Sequence, residues 1–186
     1  PDDHLPACRL AAEYGLGLTI HAGEAAGPDS IHRAIAKCGA QRIGHGIRIV
    51  DDITLEGDDE VDLGNLAALV LDRQIPLEVC PHSNLHTLGI TPEQHPIGLL
   101  NRLGFNVTLN TDNRLMSGVS MTGEYGVAAN ECGLTFDDLE KTAINSMKSS
   151  FLPYNERLAV IYDILKPGYA RLREDLGIAS TPTPAL

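Results

Sequence analysis

No stretch of this sequence runs to about 18 apolar residues, the length a helix needs to cross a bilayer, so no membrane-spanning helix is expected. No basic segment followed by an apolar leader opens the chain either. Positive charge is scarce: 14 Lys and Arg face 25 Asp and Glu, a formal net charge of −11. Such a surface repels a polyphosphate backbone; it excludes general nucleic-acid binding and favours a neutral or cationic small ligand. Cysteine is sparse and scattered, with Cys8, Cys38, Cys80 and Cys132 far apart and no C-x-x-C pair. That excludes a small disulfide framework and the zinc deaminases built on H-x-E with P-C-x-x-C. The thiols are expected to be reduced and mostly buried, in a cytoplasmic protein. No G-x-G-x-x-G follows a strand, which removes support for a dinucleotide fold. No phosphate-binding loop is present, and no H-x-H occurs among the seven histidines.

What is present is ordinary globular composition, 43% hydrophobic and 21% charged over 186 residues, enough for one domain. Short apolar runs of β type alternate with longer runs of helical period. Strands are expected at 16–20, 42–44, 75–80 and 105–109. Helices are expected at 5–14, 29–38, 63–73, 96–103, 119–130, 136–146 and 155–165. Residues 51–62 hold seven acids in twelve and read as a solvated loop. Residues 181–186, rich in Pro and Thr, read as a frayed tail. Four strands alternating with helices signal βα units and a parallel sheet, either open and doubly wound or part of a (β/α)₈ barrel. A full barrel takes about 250 residues and eight strands, so a barrel here is the second half of one. The chain opens on Pro1, not Met, and further residues are expected upstream.

The chemistry-bearing residues follow the strands directly. His21-Ala22-Gly23-Glu24 follows the first, His45-Gly46 the second, Cys80-Pro81-His82-Ser83-Asn84 the third and Asn110-Thr111-Asp112-Asn113 the fourth. In a parallel α/β protein these junctions share one face, at the carboxyl ends of the strands, where active sites form. His21 alone reads equally as a satisfied core histidine. Gly23 permits a sharp turn, however, and Glu24 can then fold back over the same pocket. A metal-bound histidine beside a poised carboxylic acid suits hydrolysis at a carbon bonded to nitrogen. His45, between Gly44 and Gly46, is open to a ligand or simply occupies a tight turn. Asp112 needs a metal, a cationic partner or a helix N-terminus to cap. His82 and His86 have the spacing of zinc ligands on a helix, but Pro81 precedes and Ser83 follows His82, so no zinc site is expected there; Asn84 is expected to tie its loop through the amide. One His and one Asp fall short of the roughly three protein ligands of catalytic zinc, so the others must come from outside this chain.

Taken together, His21-Ala22-Gly23-Glu24, Arg42-Ile43-Gly44-His45-Gly46, Cys80-Pro81-His82-Ser83-Asn84 and Asn110-Thr111-Asp112 resemble, in order and spacing, the adenosine deaminase family of metal-dependent barrel hydrolases. The run Asn113-Arg114-Leu115-Met116-Ser117 is similar to its actinobacterial branch. The resemblance covers nearly the whole chain. It implies a (β/α)₈ barrel of which residues 1–175 are the C-terminal half, strands five to eight, with extra C-terminal helices, and 176–186 a C-terminal tail. It implies that His21 and Asp112 are zinc ligands, that Glu24 is the proton donor to purine N1, and that His45 orients or deprotonates the attacking water and stabilises charge. Asn113 would then face purine N7. Zinc lowers the pKa of a bound water to about 7. Attack at C6 requires a proton at N1, and a carboxylic acid kept protonated by burial against the purine supplies it.

Two departures accompany the resemblance. The family's H-x-H ligands on the first strand are absent, as are its first-half residues that contact ribose, so this chain alone is expected to be inactive. The family usually has a second Asp where Asn113 stands; an Asn amide donates to N7 without needing a proton. The implied reaction is deamination of adenosine and 2′-deoxyadenosine to inosine and ammonia, with a purine nucleoside and the missing N-terminal half-barrel as partners. The alternatives are an adenine or modified-adenosine deaminase of the same family, and a non-catalytic half-barrel that serves as an interaction module.

Overall fold

The structure is a computed structural model that describes residues 4–57 and 60–179. The expected tail at 181–186, and Asp58 and Asp59 of the acidic block, lie outside the described residues. Four strands, β1 (Thr19–Ala22), β2 (Arg42–His45), β5 (Leu77–Val79) and β6 (Val107–Leu109), form one all-parallel sheet in the order β1-β2-β5-β6. Each crossover leads to the adjacent strand without reversal, which is the progression of a barrel wall and has no switch point of a doubly wound sheet.

α1 (Leu5–Glu13) precedes β1, and the connections carry α2 (Pro28–Ala36), α3 (Asn65–Asp72), α4 (Pro81–Leu88) and α5 (Ile97–Arg102). After β6 come α6 (Arg114–Ser117), α7 (Met121–Asn130), α8 (Phe136–Ser149), α9 (Tyr154–Ala159) and α10 (Lys166–Asp175). The core lies between the sheet and its helices. Ile31 of α2, Val70 of α3, and Ile97 and Leu100 of α5 are sealed against Ile43, Leu77 and Val107, with Phe105 the largest fully buried side chain. The strands alternate: Ile43, Leu77, Val79, Val107 and Leu109 are buried in the core, while Thr19 and His21 on the other face of β1 are exposed.

Several boundaries differ from the sequence reading for local reasons. The first strand starts at Thr19, not 16, because Leu16 stands in solvent with nothing to pack on. His21 is therefore inside a strand, paired with Gly44 of β2. The acidic block is not a plain loop. A 3₁₀ turn, Ile47–Asp52, leads into β3 (Ile53–Glu56), which pairs antiparallel with β4 (Glu60–Leu63). Asp52 is held by its own chemistry: its Oδ2 accepts from Leu66 N (3.0 Å) and Ala67 N (2.8 Å), an anion on the first turn of α3. The loop that Asn84 was expected to tie, after β5, is a helix, α4, with Pro81 at its first position, where a missing N–H costs nothing. The last helical pattern does not stop at 165. It widens into a π-helical turn, Val160–Leu165, and continues through α10; Pro167 lacks the N–H an α-helical turn would need, and the wider turn absorbs that.

Candidate active site

Backbone shape aims the junctions after β1 and β2. Gly23 and Gly46 both have left-handed φ (+66° and +67°), and His45 shares it at +66°. Left-handed backbone in a non-glycine residue is uncommon and persists only where the surroundings hold it. Gly46 has no room for a side chain: a Cβ would stand 2.6 Å from Cδ2 of Leu77. Gly44 serves the site directly, since a Cβ there would stand 3.0 Å from Cδ2 of His21, so the imidazole lies over bare backbone.

His21, His45 and Asp112 border one cavity of about 170 Å³ at the carboxyl ends of the strands, together with Glu78, Cys80 and Thr111. The rings of His21 and His45 are 5.1 Å apart, centroid to centroid. Glu24 does not line that cavity but adjoins it. Its Oε1 accepts from Asn84 Nδ2 (2.8 Å) and from Ser83 Oγ (3.5 Å) and lies 3.4 Å from Nδ1 of His45. The Ser83 hydroxyl also reaches Asp112 Oδ2 at 2.8 Å. Asn84 is fully buried; its Oδ1 accepts the Cys80 N–H (3.2 Å), so its nitrogen faces both Glu24 and His45 Nδ1 (3.1 Å). The tie expected of Asn84 is present and extends to both candidate acid–base residues. Burial, the largest influence, pushes the His45 pKa below its ordinary value, while the neighbouring Glu24 pulls it up and His21 pushes it further down. A neutral His45 accepting from the Asn84 amide at Nδ1 carries its proton on Nε2. Burial, reinforced by Asp112, Glu124, Glu24 and Glu78, pushes the Cys80 thiol up to about 12, which keeps it from acting as a thiolate ligand.

Asn113 is placed differently. It is exposed, and its Oδ1 accepts from Met116 N (3.0 Å), capping α6. It, and not Asp112, is the N-cap, which removes the capping alternative for Asp112. It is not part of the cavity lining, and its amide nitrogen remains the end available to donate. The zinc reading set aside for His82 and His86 stays aside: the helix carries both, but His82 turns to Glu124 and His86 is exposed. Cys38 and Cys80 are buried, and Cys8 and Cys132 are half-buried. A larger cavity, about 540 Å³, opens at the other end of the sheet beside Arg42 and Phe151. Its guanidinium is already engaged, by Glu78 (2.7 Å), the Ser149 carbonyl (3.0 Å) and the Phe151 ring (3.8 Å), and no acid–base set faces it.

Among the described residues no group of three or more His, Cys, Asp or Glu side chains is arranged to hold a metal ion. Two donors are nevertheless available there: the His21 imidazole has no hydrogen-bond partner among the described residues, and Asp112 Oδ2 accepts from the Ser83 hydroxyl. An imidazole and a carboxylate on a common cavity fit zinc as part of a set. Ser83 and Glu124 did not stand out in the sequence. Ser83 sits inside a quoted motif; Glu124 is signalled only as an acid on an otherwise small and apolar helix turn.

Histidines and carboxylates thus gather at the carboxyl end of a parallel α/β sheet, the end where α/β proteins place their sites. The chain belongs to the adenosine deaminase family, whose profile matches residues 2–167. It is 50% identical over 176 residues to adenosine deaminase 1 of Streptomyces coelicolor and 52% identical over 173 residues to an adenosine deaminase of Mycobacterium sp. strain KMS. Those matches take in 94% and 92% of this chain but 44% and 48% of the relatives, so the chain spans about half their length. Among solved structures it resembles an adenine deaminase from Arthrobacter aurescens, with TM-score 0.78 and 26% identity over 89% of this chain and 47% of that one. An amidohydrolase from Burkholderia ambifaria, solved with bound zinc, has the same fold, with TM-score 0.82 and 22% identity over 96% of this chain and 47% of that one.

Proposed function

We propose that this chain supplies the acid–base half of a zinc-dependent adenosine deaminase, strands five to eight of a (β/α)₈ barrel, converting adenosine and 2′-deoxyadenosine to inosine and ammonia. The observation that carries the reading is the hydrogen-bonded set Glu24–Asn84–His45 beside a cavity that His21 and Asp112 share. The roughly 50% identity to adenosine deaminases supports adenosine over adenine. His21 and Asp112 would hold the zinc with ligands from residues outside this chain. When bound, the metal supplies Lewis acidity that lowers the pKa of a water.

The chain's own residues do the rest. Glu24, oriented by Asn84 and Ser83, delivers a proton to purine N1 as C6 is attacked. His45, in the tautomer that Asn84 selects, offers Nε2–H to the oxygen that develops charge there. Ser83 fixes one oxygen of Asp112. Asn113 keeps a free amide donor for purine N7. As C6 becomes a carbonyl, one proton of the attacking water restores Glu24 and the other passes to the amino group, which departs as ammonia.

Incubated with adenosine, the complete protein is expected to yield inosine and equimolar ammonia, while the 186-residue chain alone yields neither. Deamination of free adenine in preference to adenosine would move the substrate. Turnover by the isolated chain would show that its site is not missing ligands.

A further inference from the structure

The carboxyl group of Glu124 is wholly sealed from solvent, although it lies on α7, outside the cavity lining. A buried carboxyl needs partners, and both of its oxygens turn to one residue. Oε2 accepts the backbone N–H of His82 at 3.1 Å, and Oε1 lies 3.2 Å from Nδ1 of the same histidine. His82 Nδ1 and Glu124 Oε1 are both shielded from water, and among the described residues neither has a hydrogen-bond partner beyond this 3.2 Å approach. One proton on that contact satisfies both atoms.

His82 occupies the second position of α4. This helix starts without a side-chain cap of its own, since its N-cap is Cys80. Glu124 therefore does from a distant helix what a Ser or Asp cap does locally, and the end of a helix dipole favours an acid there. The next two residues of the same turn are Ser83 and Asn84, which reach Glu24, Asp112 and His45. A turn that shifted by a fraction of an ångström would move all three at once, and such displacements are costly in catalysis.

We infer that Glu124 is a positioning residue, clamping the first turn of α4 through His82 so that Ser83 and Asn84 hold the proton donor, the histidine and one metal ligand in register. This rests on the function proposed above. The test uses the complete enzyme with Glu124→Leu, which removes both contacts, and Glu124→Gln, whose amide keeps an acceptor for the N–H and a donor for an unprotonated Nδ1. Steady-state kinetics well below the unfolding temperature is paired with amide hydrogen exchange at residues 82–84.

Glu124→Leu is expected to lose at least about tenfold in kcat with KM changed less than about threefold, and to exchange faster at 82–84. Glu124→Gln is expected to stay within about threefold of the parent on both readouts, the rescue a hydrogen-bonding clamp allows. Equal losses in the two variants, or faster exchange with kcat unchanged, would overturn the inference. Should Glu124→Leu not fold, His82→Ala removes the ring contact alone, and an unchanged kcat there overturns it. If the parent enzyme deaminates nothing, the functional reading fails by itself. Exchange then decides the clamp: unchanged rates in Glu124→Leu refute it, and faster rates sustain it.

Discussion

Glu24 illustrates how much of the site one side chain concentrates: a carboxyl oxygen meets an amide, a hydroxyl and an imidazole within 3.5 Å. Replacing it with Gln keeps shape and hydrogen-bonding capacity but removes the acid. Glu24→Gln in the complete enzyme is therefore expected to bind nucleoside nearly as well and to turn over about 10²-fold more slowly, which steady-state kinetics checks. Undiminished turnover would take Glu24 out of the reaction. That His21, Glu24, His45 and Asp112 gather at one end of the sheet was legible in the sequence, because each stands within the last residues of a strand or shortly after it. Ser83 and Glu124 were not, since their importance lies in partners 29 and 42 residues away that only the tertiary structure reveals. Asn113 was read for its amide; that the same side chain caps α6 depends on a short helix the sequence does not announce.

The secondary-structure elements that the sequence reading placed well are those with strong periodicity and clear stops, such as α2 with Ile31 and Ala34 inward and Gly39 beyond its end. It missed where local signals mislead. Acidic density suggested a solvated loop at β3 and β4; most described residues there are exposed, but the backbone pairs as a hairpin, with Ile53 facing Leu63 across the ladder. The segment around Asn84 was read as a loop tied by its amide, whereas Pro81 opens a helix, α4, there. The junction after β2 is where an element depends most on one residue. Gly46→Ala would combine left-handed backbone with a clash against Leu77, and a loss of about 1–3 kcal/mol in unfolding free energy is expected. Chemical denaturation measures it; an unchanged midpoint and slope would contradict the geometry.

Across the whole molecule, acid should be the weak direction. His95 is buried, its Nδ1 accepts the Ile97 N–H at 3.1 Å, and burial pushes its pKa down to about 4. In the unfolded chain an ordinary histidine titrates near 6.5. The unfolded state thus binds the proton first. The stability His95 contributes is complete above pH 6.5 and is lost as pH falls toward 4, on the order of 3 kcal/mol in all. His45, shifted the same way by burial, adds to the same limb. His95→Asn, which keeps an acceptor for Ile97, is expected to flatten stability between pH 6.5 and 4, measured by urea unfolding across that range. An identical pH profile in the variant would refute the assignment.

The account depends most on His21 and Asp112 sharing one ion in the assembled barrel. Anomalous diffraction at the zinc edge from crystals of the complete, active protein tests this most directly. The account predicts a single peak within coordination distance of the His21 imidazole and the Asp112 carboxylate, beside His45. A peak bound elsewhere, or active crystals with no peak between those two side chains, would contradict it.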